Sequence, residues 1–255
     1  MKIKDEILTI LSNCRVEQDK IFLPNTQLER KIYLKTNEAL ESIGGKWNRK
    51  EKCHIFSENI EEKFEDMILT GEFTDKKREL NYFPTPLNIV KQMIELAELK
   101  ENDSVMEPCA GQGAIVDEIY KVAKKCNVVL FEIDKNNCDI LRKKGYKVSE
   151  VDFLTFRCSP EFLNVDKVIQ NPPFHIKNNP QCDIDFIYYS WKFIKNNGIL
   201  VSIVSESPFF RENNKSIKFC EWLLKNNAEI IKLPDNSFAE SGTNVRTRII
   251  KVKKL

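Results

Sequence analysis

From Asp103 onward the chain alternates short apolar runs with helical patterns, and no other feature constrains its fold as much. Such alternation marks β-α-β units, whose strands pair in parallel beneath helices on both faces. Ser104-Val105-Met106 reads as the first strand and Ala114 to Lys125 as its helix. Val128 to Phe131 is a second strand, followed by a helix from Lys135 to about Lys144. Later strands are expected at Tyr146 to Val148, Lys167 to Gln170, Ile199 to Val204 and Glu229 to Lys232. Thr247 to Val252 alternates and is expected to close the sheet as a last, antiparallel strand. Between the fourth and fifth strands, Ile184 to Ile194 is a helix whose Phe186, Tyr188, Tyr189 and Trp191 are spaced to pack on a sheet. The fold class is therefore α/β, with a mostly parallel sheet.

The first eighty residues break this rhythm. Gln27 to Ile43 reads as a helix ended by Gly44-Gly45, Cys53 to Phe56 as a short strand, and Ile60 to Leu69 as a helix stopping at Gly71. The polar run Thr74 to Glu79 is the natural linker. The expected division is a small α+β extension, 1–80, and a main domain, 81–255. Charged residues make up 31% of the chain but nearly cancel, to +2, so a nucleic-acid surface has to be local. Two stretches qualify: Lys46-Trp47-Asn48-Arg49-Lys50, and Arg246 to Lys254, which contains no acid. The eight cysteines form no Cys-x-x-Cys pair and there are two histidines, so no metal site is expected. No long apolar segment follows Met1, so neither a signal peptide nor a membrane span is expected, and reduced thiols and a cytoplasmic location are.

Asn171-Pro172-Pro173-Phe174 follows the apolar end of the Lys167 to Gln170 strand. Asn-Pro is a common turn dipeptide, but this combination also suits one uncommon task, methylating a planar exocyclic amine. The lone pair of such an amine is delocalised, which makes it a poor nucleophile. The Asn171 side-chain oxygen and the Pro172 carbonyl can accept hydrogen bonds from the NH2 group and localise that lone pair toward a methyl donor. Proline has no N–H and a fixed φ, so the acceptor sits on a stiff turn. Phe174 offers a flat face to a base taken out of its stack.

Glu107-Pro108-Cys109-Ala110-Gly111-Gln112-Gly113 joins the first strand to its helix, where open α/β sheets bind ligands. Val116 stands where a dinucleotide fingerprint needs its third glycine. An acid ahead of the glycines suits a cationic sulfonium and amino group better than a pyrophosphate, which points to S-adenosylmethionine. Glu132, with Ile133 after it, ends the second strand, where a carboxylate can take both ribose hydroxyls. Asp152-Phe153 follows the third strand and suits an adenine's amino group and face. Upstream, Phe83-Pro84-Thr85-Pro86 precedes an amphipathic helix, with Thr85 as N-cap and Pro86 at the first helical position. Phe83 and Thr85 are also expected to close over the methionine end of the cofactor.

Together these residues resemble the class I amino-methyltransferases, in particular the γ-type N6-adenine DNA methyltransferases. That group runs F-x-T-P, E-x-x-x-G-x-G, acidic ribose loop, Asp-Phe, N-P-P-(Phe/Tyr), and all five occur here between Phe83 and Phe174. The resemblance implies a Rossmann-like methyltransferase domain with S-adenosylmethionine as cofactor and nucleic acid as partner, DNA favoured and RNA possible. It also implies that Phe238, near Ser241-Gly242-Thr243, contacts the flipped base from the other side. The stretch Ile43 to Lys50, with the later Phe-Pro-Thr-Pro, is similar to small methyltransferases of phages and mobile elements. γ-type enzymes carry a recognition domain after the last motif, whereas this chain stops at Leu255, so recognition falls to the first eighty residues, a partner or loops. Trp47 and Arg49 are the expected substrate contacts there. His175 makes the motif N-P-P-F-H, which resembles enzymes that methylate the guanine N2 amine of ribosomal RNA. The expected reaction is methyl transfer to adenine N6 in DNA. An RNA base methyltransferase, a protein-glutamine methyltransferase and a silent binding protein are the alternatives.

Overall fold

The structure is a computed structural model, and it describes residues 3–71, 84–157, 164–176, 179–241 and 245–255. Short strands and helices open the chain: α1 (Asp5–Ser12), β1 (Arg15–Glu17), β2 (Lys20–Phe22), α2 (Arg30–Ser42), β3 (Lys46–Asn48), β4 (Cys53–Ile55) and α3 (Glu61–Thr70). The strands form an antiparallel sheet in the order β1-β2-β4-β3, and Ile7, Leu8, Leu11, Ile21, Leu40 and Met67 build its core with the helices. The turn after α2 requires its glycines. Gly44 has φ +97°, and a Cβ on Gly45 would sit 2.8 Å from both the Leu40 carbonyl and the Phe56 ring.

The main sheet follows, with α4 (Leu87–Ala97), β5 (Ser104–Glu107), α5 (Ala114–Val122), β6 (Asn127–Glu132), α6 (Lys135–Lys143), β7 (Val148–Glu150) and β8 (Val165–Gln170). Then come a two-residue hairpin, β9 (His175–Ile176) and β10 (Asn179–Pro180), α7 (Cys182–Trp191), β11 (Ile194–Ser205), α8 (Asn214–Lys225), β12 (Glu229–Lys232) and β13 (Thr247–Lys253). The sheet runs β12-β13-β11-β8-β5-β6-β7. Its strands pair in parallel except for β13, which is antiparallel to both neighbours. Successive side chains of a strand point to opposite faces, and β11 shows the result. Ile199, Val201 and Ile203 join the core under α4 and α5, while Leu200 and Val204 join the core under α7 and α8. After β7 the chain returns to the far side of β5, so the strand order reverses between β5 and β8. Open α/β sheets bind ligands at such a point.

Several expectations are corrected. β13 does not close the sheet but lies between β11 and β12, and β12 is the edge. The cationic run Arg246 to Lys254 is accordingly for the most part engaged within the protein rather than laid out as a nucleic-acid surface, with Lys253 the exposed member. Arg246 is buried, Arg248 lies over the Phe209 ring and pairs with Glu206, and Lys251 pairs with Glu98. Lys254 reaches the carbonyls of Trp191 and Ile194. Pro86 is itself the cap residue of α4 rather than its first helical residue, and Thr85 makes no capping bond. β7 starts at Val148, not Tyr146, because the Tyr146 ring stacks on Tyr120 and its hydroxyl donates to Asp117. The linker expected at Thr74 to Glu79 lies outside the described residues.

Buried charge joins the N-terminal unit to the sheet. Arg211 donates from Nη2 to both Glu65 oxygens at 2.6 Å, with the two side chains 10% and 7% exposed. Arg246 reaches Asp5 at 2.5 Å, and its own N–H donates to the Leu69 carbonyl. Removing one member of a buried pair strands the other, at about 3–5 kcal/mol. Glu65→Ala is therefore expected to lower unfolding free energy by about that amount, measured by denaturant titration. Glu65→Met combined with Arg211→Met should recover much of the loss, and equal losses for the two variants would contradict a stranded charge.

Candidate active site

The C-terminal ends of β5, β6 and β8, with the turn after β7, surround a cavity of about 480 Å³. That volume lies in the range of small-molecule sites, roughly 300–1,000 Å³. Its walls include Thr85, Glu107, Pro108, Cys109, Ala110 and Gly111 on one side. Glu132, Ile133, Asp152 and Phe153 lie on another, and Asn171 to Ile176 with Phe238 complete it. Sequence elements 86 positions apart, Thr85 and Asn171, thus share one chamber.

Backbone hydrogen bonds build the glycine loop. The Ala110 N–H donates to Phe131, the Gly113 N–H to Ala110, and the Gly111 N–H to Glu132 Oε2 at 2.6 Å. Gly111 and Gly113 have φ of +53° and +92°, which other residues adopt only under strain. Gly113 is the N-cap of α5, and a Cβ there would come within 2.8 Å of the Leu141 side chain. Glu132 Oε1 also accepts the N–H groups of Ile133 and Asp134. This carboxylate therefore organises two loops, a role beyond the ribose contact expected of it. Oε2, with one N–H donor, keeps a second lone pair.

Glu107 is fully enclosed at the cavity wall. The Val116 N–H reaches its carboxyl, yet Oε2 has no partner. Burial, with Asp117 and Glu132 nearby, raises its pKa well above the ordinary carboxylate value. A buried acceptor of this kind fits a cationic ligand, which would return the attraction that water no longer supplies. Cys109 lines the same wall, and burial followed by the Glu107 and Glu132 carboxylates pushes its thiol well above its ordinary value. A thiol held protonated is a poor nucleophile, so covalent attack from Cys109 is disfavoured. Among the described residues no cluster of three or more His, Cys, Asp or Glu side chains could hold a metal, and no helix is long and apolar enough to cross a membrane.

The turn after β8 is held from behind. Pro173's carbonyl accepts the Cys182 thiol at 2.7 Å, and Phe174's carbonyl accepts the Gln181 N–H. Asn171 Nδ2 donates to the Thr85 hydroxyl at 2.9 Å, while Asn171 Oδ1 is buried with no partner. Phe174 and Phe238 both line the cavity, but both rings are packed in one core cluster, 7% and 0% exposed. His175 borders the cavity with its Nδ1 buried and unpartnered.

Other expected residues are placed differently. Phe153 packs against Phe131, Phe186 and Tyr189, so most of its ring belongs to the aromatic core rather than to a free adenine platform. Asp152 Oδ1 accepts the Leu154 N–H. Pro86 does not line the cavity, and Phe83 lies outside the described residues. Trp47 and Arg49 are exposed on and beside β3, away from the cavity walls, with Trp47 edge-on to the buried His54. The reading of motifs missed Asn137, Leu154, Ile176 and Phe186. Asn137 was open to detection, because its N–H bonds Asp134 Oδ1 in an ordinary cap two residues past Glu132.

Known proteins place this geometry. A family model, ribosomal RNA adenine dimethylase, matches residues 76–182. The chain is 34% identical over 99 residues to Type II methyltransferase M.HincII of Haemophilus influenzae, a match covering 39% of the chain and 18% of that protein. It is 35% identical over 95 residues to ribosomal RNA small subunit methyltransferase A of Borreliella afzelii, covering 35% and 32%. The chain thus spans less than a third of either relative. The methyltransferase subunit of a type I restriction-modification system from Streptococcus thermophilus superposes with a TM-score of 0.59 at 21% identity, over 76% of this chain and 48% of that one. A Listeria monocytogenes protein described as a class I S-adenosylmethionine-dependent methyltransferase superposes with a TM-score of 0.54 at 18% identity, over 98% and 79%. The chain carries the fold of the class I S-adenosylmethionine-dependent methyltransferases, and S-adenosylmethionine is the cofactor that goes with it.

Proposed function

We propose that this chain methylates the N6 amine of adenine in DNA, acting on a base turned out of the helix into the cavity. The observation that carries the reading is the unpartnered Asn171 Oδ1 at the wall of the glycine-loop cavity. A buried acceptor without a donor is costly, by about 1–3 kcal/mol, and a substrate N–H would satisfy it. S-adenosylmethionine, when bound, supplies an electrophilic methyl group. Asn171 Oδ1 and the Pro172 carbonyl then accept the two N–H bonds of the amine and aim its lone pair at that group. Glu107 faces the positive charge of the methionine end, and Glu132 and Asp152 hold the nucleoside end. Phe174, Phe238 and His175 form the base side. Because the methylated amine sheds its proton afterwards, the site needs no strong general base, and positioning supplies much of the rate.

Local similarity to M.HincII supports DNA as the substrate. The ribosomal RNA adenine dimethylase match favours a second reading, adenine in RNA, through the same acceptors. The N-terminal unit, residues 1–80, would supply recognition, with Trp47 and Arg49 exposed for a nucleic acid. Incubation with tritiated donor and separate pools of duplex DNA, ribosomal RNA and protein decides between them. Label recovered as N6-methyladenine in DNA is the expected result, and label confined to RNA or protein overturns it.

Asn171→Ala is expected to lower the transfer rate about 100-fold or more, the scale of losing one preorganised transition-state contact. Its cofactor affinity, measured calorimetrically, should stay near the wild-type value, and parallel loss of both would remove Asn171 from the chemistry.

Glu107 gives the second test. Its raised pKa means that it is neutral below that value and charged above it. A cationic ligand favours the charged form, so binding releases a proton and tightens as pH rises through that interval. Titrations with S-adenosylmethionine or sinefungin should show this slope in the wild type and a flat profile in Glu107→Gln. Tighter binding at lower pH would contradict the assignment.

A further inference from the structure

Pro172 and Pro173 carry no N–H, so the turn that begins at Asn171 lacks two of the donors with which a loop usually binds itself. Donors from elsewhere have to hold it. The Pro173 carbonyl accepts the Cys182 thiol, a weak donor, and the Phe174 carbonyl accepts the Gln181 N–H at 3.1 Å. Gln181 therefore supplies the stronger of these two ties to the base side of the cavity.

The backbone at Gln181 favours a different residue. Its φ of +70° lies in the left-handed region, which glycine enters without strain. Gln181 is the cap residue of α7, yet its side chain makes no capping bond and the residue is only 3% exposed. The side chain turns instead to the start of α8, where it joins a closed circuit. The Ser216 N–H donates to Asn213 Oδ1 at 2.8 Å, and Asn213 Nδ2 donates to Gln181 Oε1 at 3.1 Å. Gln181 Nε2 then donates to the Ser216 hydroxyl at 2.7 Å. A backbone N–H can only donate, so Ser216 fixes the direction of the whole circuit. Beside it, Lys215 Nζ donates to Asn179 Oδ1 and to Asp185, and Asn179 Nδ2 donates to Asp185. The β9–β10 hairpin, which follows the turn, is thus clamped to the same end of α8.

We infer that Gln181 is a positioning residue for the base side of the chamber. Its side chain, gripped by α8, offsets the left-handed backbone and holds its N–H on the Phe174 carbonyl, which sets Phe174 and His175 against Asn171. This deepens the amine-methylation reading and rests on it. The cofactor side has separate supports, the bonds of Glu132 to Gly111, Ile133 and Asp134.

The test measures methyl transfer at saturating donor to the substrate that the labelling experiment identifies. Rates are referred to cofactor-binding sites counted by calorimetry, so unfolded chains do not enter. Gln181→Gly accepts the backbone conformation and keeps the N–H but drops the grip of α8. Its rate per site should fall roughly tenfold or more, the scale of a small misplacement, while S-adenosylmethionine affinity stays near wild type. Asn213→Ala opens the circuit from the other side and should give a similar loss, with the double variant costing little more than either single one. Asn213→Asp still takes the Ser216 N–H and offers Gln181 an acceptor. The Gln181 amide then turns over, donates to the new carboxylate and accepts the Ser216 hydroxyl, so the rate should return toward wild type. An amine product with wild-type rate per site in Gln181→Gly overturns the Gln181 role alone, and so does a parallel loss of cofactor affinity. Wild-type label on an atom other than an amine nitrogen overturns the amine reading and this role with it.

Discussion

Parallel pairing of β5 with β6 and β8 is the constraint on which the site depends. Glu107 pairs with Leu130 and Met106 with Val168, so the three strands end close together at one edge of the sheet. No loop in the cavity would have its shape without that register. The glycine loop is pinned to the end of β6 through the Gly111 N–H and Glu132, and Asn171 leaves β8 directly opposite. A one-residue slip would turn every one of these side chains to the other face.

Three polar groups at this edge are left incomplete. Glu107 Oε2, Asn171 Oδ1 and His175 Nδ1 are all buried without partners, while the surrounding loops are closely bonded. Those bonds, including the Cys182 thiol to Pro173 and the Glu132 carboxylate to three N–H groups, hold the unsatisfied atoms in place before a ligand arrives. Rigid surroundings with unsatisfied acceptors are what electrostatic preorganisation requires.

The fold of the main sheet was legible because its strands are apolar runs long enough to show a period. β5, β6, β8 and β12 fall where the pattern places them, and the loops after them line the cavity. The N-terminal sheet was mostly hidden, because β1, β2 and β3 are three residues long and half-exposed, too short to display alternation. Composition misled at Arg246 to Lys254, where a row of cations without an acid reads as a nucleic-acid surface. Insertion of β13 between two strands draws most of that row inward, where Glu206, Glu98 and the Trp191 and Ile194 carbonyls answer its charges, and leaves Lys253 exposed. Thr85 misled in another way. A threonine before a helix is locally a cap, and only its distant partner, Asn171, shows why the hydroxyl is diverted.

The placement of β13 has one more consequence. Arg246, one residue ahead of it, donates through its backbone to Leu69 and through its side chain to Asp5. The N-terminal unit is therefore tied to the start of a strand that lies inside the main sheet. Any load on that unit passes to β13 and, through β11, to β8, the strand that leads into Asn171.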